Sequence, residues 1–371
     1  MHIAIDAVGI KHSGGATVMS GILGAALRHS ALSRITVFCS PHPVRSFALP
    51  HSSRLVALEQ AQAERSLIRR VLWCEHLLEL ESGRIAADVL LCLNGMGRAP
   101  APATHVSLVQ QALPFSTEAL ATLSPSQRIR MAVIRLLMQR SCRSAAKVVV
   151  QTPTMAQWVS QAFGLRVGQV SVVLPSVSLP ALKANASPAL DTMRSTPVGS
   201  RLLYVGNTAA YKMVQTLVRG IGLVRKSCPQ ATLHLTWPTN HPAAREPGVV
   251  CLGYLAPQAL RQAYEMATAV VMPSLVETVG LPMLEAMSVG TPVLAADRPY
   301  AHDICEEAAV FFDPLDANEF AERAIELLRD RRQREDLAGQ GRALAAKRNT
   351  HDPYLCMIDL ALATADGGSV S

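Results

Sequence analysis

Apolar and polar positions alternate along this chain in blocks with a recurring order. His2 to Val8 is a nearly continuous apolar stretch that reads as a buried strand. Gly9 and Ser13-Gly14-Gly15 read as a turn, and Ala16 to His29 as a helix. Strand, glycine-rich turn and helix in that order open a parallel α/β domain. Further strands are predicted at Ile35 to Cys39, Val89 to Leu93, His105 to Val109, Lys147 to Gln151 and Val170 to Leu174, with helical patterns at Ala61 to Leu80 and Gln127 to Arg140. Thr152 before Pro153 has the form of a helix cap, which places a helix over Pro153 to Ala162.

From Pro175 to Ser200 the chain turns rich in Pro, Ser, Ala and Asn and loses its periodicity, so a linker and a domain boundary are expected there. The rhythm then restarts. Strands are predicted at Arg201 to Val205, Thr232 to Thr236, Val249 to Leu252, Ala269 to Met272 and Pro292 to Ala295, with helices at Met213 to Lys226, Pro257 to Ala267, Pro282 to Ser288 and Ala317 to Arg329. Arg331 to Lys347 reads as basic and looser, and Ala361 to Ser371 as a frayed tail. The expected division is a first Rossmann-like domain over 1–180, a linker over 181–200, a second Rossmann-like domain over 201–360 and a tail over 361–371. Parallel sheets bind ligands at the carboxyl ends of their strands, so the expected site is a cleft that the two halves face.

Composition narrows this reading. A chain of 371 residues with 49% apolar and 17% charged residues can bury two cores and is not a disordered one. Its eight cysteines are scattered in apolar runs and form no paired ligand motif, and nothing before the first strand reads as a signal segment. A reducing cytoplasm, with no metal site and no membrane span, is the expectation. The net charge of +7 suits an anionic partner without choosing one, and no zinc spacing or aromatic-basic module points to nucleic acid.

The chemistry concentrates in residues 273–293. Here a buried strand ends, a loop carries Glu277, Gly280 and Pro282 open a short helix, Glu285 sits about one turn into it, and Gly290 ends it. Free amides around Val279, Gly280 and Leu281, at the start of a helix, can meet the negative oxygens of a nucleotide or sugar. Glu285 can accept from the paired hydroxyls of a ribose, and Glu277 from hydroxyls of a donor sugar. Two glutamates alone would read as solvated surface groups and the glycines as turn formers. The complete strand-loop-helix-strand setting argues against that.

This segment resembles the large family of retaining glycosyltransferases with the GT-B fold, glycosyltransferase family 4 or group 1, marked by two glutamates separated by seven residues. The resemblance lies in glutamate, three residues to glycine-leucine-proline, glutamate-alanine-methionine, then glycine-threonine-proline-valine. It implies two Rossmann-like domains facing across a cleft, Glu285 on the nucleotide ribose, and Glu277 near the donor sugar. Leu203-Tyr204-Val205-Gly206 followed by Lys212 resembles a further family element, whose basic side chain reaches the donor diphosphate. That family often has arginine after the glycine, where this chain has Asn207. Lys212 can neutralise the departing diphosphate without a divalent metal. Leu252-Gly253-Tyr254-Leu255 resembles the base-binding turn, with backbone groups of Tyr254 and Leu255 as contacts, although such a turn also has a purely structural use.

In the first half, Gly14 and Gly15 match a glycine pair that in the family approaches the donor phosphates, against the plain reading of a tight turn. By the family register Gln110 occupies a position that often holds histidine, and glutamine cannot act as a general base. The expected function is retaining transfer of a sugar from a nucleoside diphosphate sugar, the donor substrate, to a hydroxyl of a glycan or lipid-linked oligosaccharide in surface polysaccharide assembly. No cofactor is expected. The catalytic set is Glu277, Lys212 and Gln110. The donor-binding set is Gly14, Gly15, Gly206, Asn207, Lys212, Tyr254, Leu255, Val279, Gly280, Leu281 and Glu285. The alternatives are a catalytically weakened nucleotide-sugar-binding protein and an epimerase or phosphorylase on the same fold. Arginines set among apolar positions in Gln127 to Lys147, and around Arg65, Arg69 and Arg70, suit an anionic membrane at the inner face of the cytoplasmic membrane, and ordinary amphipathic packing explains them as well.

Overall fold

The apolar runs form two parallel sheets in the computed structural model, which describes residues 1–10, 14–41, 50–177, 179–181 and 187–367. In the first sheet β1 (His2–Ala7), β2 (Arg34–Cys39), β3 (Leu55–Glu59), β4 (Val89–Cys92), β5 (Thr104–Leu108), β6 (Lys147–Val150) and β7 (Val170–Val172) lie in the order β3-β2-β1-β4-β5-β6-β7. In the second, β8 (Arg201–Tyr204), β9 (Thr232–Leu235), β10 (Val249–Cys251), β11 (Ala269–Met272), β12 (Val293–Ala296) and β13 (Ala309–Phe312) lie in the order β10-β9-β8-β11-β12-β13. Among the described residues the strand pairings are parallel, for example Ile3 with Ile35 and Val270 with Leu203.

Strands buried on both faces explain the unbroken apolar runs. In the second sheet successive side chains part to opposite faces. Leu203, Val270, Met272 and Val293 join one core with the helices Pro257–Met266, Leu281–Val289 and Pro299–Cys305. Leu202, Tyr204, Val271 and Leu294 join another with the helices Val214–Ser227 and Ala317–Arg329. In both sheets the strand order reverses once, between β1 and β4 and between β8 and β11. Chains leaving the carboxyl ends of neighbouring strands there depart toward opposite faces and leave room for a ligand.

The structure divides into one unit of 1–117, 124–175 and 351–371, and another of 118–123 and 176–350. The expected boundaries are therefore corrected in three places. The segment expected as a linker over 181–200 is partly structured, with a helix at Asp191–Ser195, and Leu190 and Met193 are buried in the second unit's core; its residues 182–186 lie outside the described ones. The stretch 351–360, assigned to the second domain, and the expected frayed tail from Ala361 are joined by one helix, Pro353–Ala365, capped by Asp352. Its Met357, Ile358, Ala361 and Leu362 enter the first unit's core beside helix Gly14–Arg28. A tail with apolar residues at helical spacing is held by the core it covers. Residues 368–371 lie outside the described ones. Residues expected to be loose after Arg331 form the regular helix Arg331–Arg348, capped by Asp330.

The helix expected over Ala61 to Leu80 is broken instead. Ser66 accepts from the Arg69 amide and starts a new helix, Leu67–Leu72, followed by a π-helical turn, Trp73–Leu77, and Leu78–Arg84. The wide turn seats Trp73, whose indole donates to the buried Asp6 Oδ1 at 3.1 Å. Two strands were not predicted, β3 and β13. β3 has mostly exposed or half-buried residues at the sheet edge, so its apolar signal is weak.

Candidate active site

Two loops at the β8/β11 reversal carry most of the predicted residues. After β8, a side chain on Gly206 would lie 2.4 Å from the Tyr204 hydroxyl, which is why glycine is needed. The Gly206 amide donates to Thr236 Oγ1 at 3.1 Å, and the buried Tyr204 hydroxyl donates to the Asn207 carbonyl at 3.0 Å. Asn207 Oδ1 accepts from the Ala209 amide at 3.0 Å, closing a local turn of the kind asparagine forms. A tight turn at Ala210–Lys212 follows, and Met213 adopts the left-handed region (φ 50°) before helix Val214–Ser227 begins. That conformation costs a non-glycine residue roughly 1–2 kcal/mol. It reverses the chain directly after Lys212, which is only 9% exposed.

After β11, Leu275, Val276 and Val279 pack inward and fasten the loop. Its backbone is tied on two sides: the Leu275 amide donates to the Tyr211 carbonyl at 2.9 Å, and the Tyr300 hydroxyl to the Ser274 carbonyl at 2.8 Å. The first tie brings the β8 and β11 loops together. Between them the Lys212 ammonium forms an ion pair with Glu277 Oε1. Burial alone would depress the Lys212 pKa, but the Glu277 carboxylate and Tyr211 outweigh it and hold the ammonium above its ordinary value. The cation is thereby kept charged in a mostly dry place, where its field is least screened.

Gly280 (φ 75°, ψ 55°) turns the chain into helix Leu281–Val289, and no side chain caps that helix among the described residues. Pro282 has no amide to offer, and Met283 donates to the Gly280 carbonyl at 2.9 Å. An uncapped helix start beside a buried lysine is a place for negative oxygens. One turn on, half-buried Glu285 accepts from the Tyr264 hydroxyl at 2.5 Å. Burial raises the Glu285 pKa, and the tyrosine hydrogen bond opposes that rise. Gly290 (φ 79°) ends the helix as expected.

The other predicted residues lie on other elements. Gly253 (φ 77°) makes the turn after β10 and donates to the Trp237 carbonyl at 2.8 Å. Leu255 is buried in the core and Tyr254 is 89% exposed, so only their backbone groups suit the base contact proposed for them. In the first unit, Gly14 and Gly15 are the first residues of helix Gly14–Arg28 rather than a turn before it, and Ser13 lies outside the described residues. Gln110, just past β5, donates from Nε2 to the Leu93 carbonyl at 2.8 Å and so fastens the ends of two neighbouring strands. Tyr264 and Tyr300, the supports of Glu285 and of the Glu277 loop, carry no local signal of these roles, because each partner lies more than 20 residues away.

Residues 199–330 match the model of the family described as glycosyl transferases group 1. The chain is 32% identical over 109 residues to O-antigen chain mannosyltransferase B of Escherichia coli, covering 29% of each chain. It is 28% identical over 179 residues to a D-inositol 3-phosphate glycosyltransferase of Paenarthrobacter aurescens, covering 43% of this chain and 42% of that one. The matched part is thus less than half the length of either relative. Over nearly its whole length the fold is similar to that of Anabaena HepE in complex with UDP and glucose, with a TM-score of 0.71 at 16% identity, covering 98% of this chain and 100% of that one. Residues 199–330 therefore belong to the group 1 glycosyl transferases, within a chain that has the GT-B fold of two Rossmann-like domains.

Proposed function

We propose that this protein is a retaining, metal-independent glycosyltransferase that moves a sugar from a nucleoside diphosphate sugar to a hydroxyl of a glycan or lipid-linked oligosaccharide. The observation that carries the reading is the pairing of buried Lys212 with Glu277 beside the uncapped helix start at Gly280. The diphosphate oxygens take the place prepared for negative charge, the ribose meets Glu285, and the donor sugar lies at Glu277. Gly206, Asn207, Val279, Leu281 and the backbone of Tyr254 and Leu255 complete the donor site.

In the transfer, the bond between the anomeric carbon and the phosphate oxygen breaks with its electron pair going to the diphosphate. The acceptor oxygen forms the new bond on the same face, and its proton passes to the departing phosphate oxygen. Lys212 and the helix amides stabilise the charge that develops there. Gln110 donates a hydrogen bond and moves no proton. The relatives' names support a sugar-transfer role in surface glycan assembly.

A peripheral place on an anionic membrane is part of the proposal. The helix Pro125–Ser144 fully buries only Leu137, Met138, Ser141 and Cys142, and in its first three turns no residue is fully buried. Ile129 and Leu136 are 65% and 47% exposed, among five arginines and no carboxylate in that helix. No helix among the described residues is long and apolar enough to cross a membrane.

The test offers the protein UDP- and GDP-linked sugars with lipid-linked acceptors in the presence of chelator and resolves the products. Transfer with the donor's anomeric configuration, abolished by Glu285→Ala, supports the reading. Donor hydrolysis or epimerisation instead of transfer overturns it. A second reading, a sugar-nucleotide-binding protein, is favoured by the engagement of Gln110 with Leu93. It predicts tight donor binding without turnover on any acceptor.

A further inference from the structure

Tyr264 is completely buried, and among the described residues its hydroxyl donates to Glu285 Oε2 at 2.5 Å. A buried phenol requires an acceptor, and a backbone carbonyl would meet that need at no cost in charge. Here the acceptor is a half-buried carboxylate on another helix, at the edge where the site loops meet. Both ends of this contact are held firmly. The Tyr264 carbonyl accepts from Thr291 Oγ1 at 2.8 Å, so the chain that follows the Glu285 helix is tied to Tyr264 as well. Helix Pro257–Met266, which carries Tyr264, begins just after the Gly253–Leu255 turn. One rigid element thus runs from the turn proposed for the base to the carboxylate proposed for the ribose.

Resting on the donor-site reading above, we propose that Tyr264 is a positioning residue for nucleoside recognition. Its hydroxyl occupies Glu285 Oε2, fixes the plane of the carboxylate and leaves Oε1 to accept from the vicinal hydroxyls of a ribose. The same hydrogen bond favours the ionised form of a carboxyl that burial otherwise pushes toward protonation. Tyrosine serves where serine would not, because the separation between the two helices must be spanned by a rigid side chain from inside the core. Tyr264 touches no reacting atom in this scheme.

The inference separates from a merely structural role by the ligand rather than by the residue. The full-length protein, Tyr264→Phe and Glu285→Gln are titrated calorimetrically with UDP and GDP and with the 2′,3′-dideoxy forms of both, with thermal melts run alongside. Wild type is expected to bind its preferred ribonucleotide at least ten-fold more tightly than the dideoxy form. Tyr264→Phe weakens the ribonucleotide about ten-fold, as loss of one hydrogen bond to a charged group does, and leaves the dideoxy form within two-fold. The double variant loses no more than Glu285→Gln alone, and in turnover Tyr264→Phe raises the donor KM while kcat holds. Equal losses for both nucleotide forms would show Tyr264 to be a packing residue and overturn the inference while leaving the donor site intact. A wild type that does not distinguish ribose from dideoxyribose overturns it without any variant. Absence of binding by either nucleotide removes the donor-site reading and this inference together.

Discussion

Lys212 and Glu277 form an ion pair with both side chains largely buried, and the Glu277 carboxylate helps hold the Lys212 ammonium charged. Replacing Lys212 with alanine leaves the Glu277 carboxylate without its cation and removes the positive charge that would receive a leaving diphosphate. The expected loss in kcat is about 10²–10³, the cost of removing one preorganised charge stabiliser, read from initial rates at saturating donor. Glu285 gives a pH signature. Its pKa is raised, burial being the main cause, and a protonated carboxyl is a poorer acceptor for ribose. Nucleotide affinity should therefore weaken on acidification at a higher pH than an ordinary glutamate would produce, and Glu285→Gln should flatten that profile in calorimetric titrations. Gln110 shows the limit of reading single residues from a family register. The side chain present donates to a backbone carbonyl, a bond that no spacing in the sequence announces.

At the level of elements, the short helix Leu281–Val289 depends on the glycine before it. Gly280 sits in the left-handed region (φ 75°), and a methyl group there would also come within 2.6 Å of the Met283 terminal carbon. The methionine end can move, whereas the backbone cannot. Gly280→Ala should thus cost roughly 1–2 kcal/mol from the conformation alone, seen as a lowered Tm, and raise the donor KM because the helix start shifts. Helix Pro353–Ala365 offers a different test. Ending the chain after Thr350 would uncover Ile22, Leu23 and their neighbours in the first unit's core, and the expected outcome is an aggregating first unit, with lost protection there in hydrogen exchange. These two helices differ in legibility. The signals of the first, Gly280, Pro282 and Gly290, lie next to it in sequence. The second has a cap and apolar spacing of its own, but the core it covers is assembled from residues between Ile3 and Val173, far earlier in the chain.

At the scale of the whole molecule, each unit buries a histidine that burial holds neutral. Burial brings His105 in the first unit and His234 in the second down to about 4, from an unfolded value near 6.5. A histidine with a depressed folded pKa contributes stability that is present above the unfolded value and lost as pH falls toward the folded one. Each contribution amounts to on the order of 3 kcal/mol when complete. Asp6 acts with the opposite sign. Burial raises it to about 6, so the folded state gains relative stability as pH falls from there toward the ordinary aspartate range. Urea midpoints should fall between neutral pH and about pH 5. His234→Gln should lessen the fall, and Asp6→Asn should steepen it. The sequence by itself determined most of the α/β alternation, the Thr152 helix cap and the glutamate-bearing loop and helix, because hydrophobic period and turn chemistry are local properties of the chain. Only the tertiary structure decided that β8 and β11 are neighbours, and with that the meeting of Lys212 and Glu277 across 65 residues, the support of Glu285 by Tyr264, and the return of the last helix to the first core. Those outcomes depend on which strands pair and which faces are buried together, a choice made by the sum of non-local contacts and not by any segment alone.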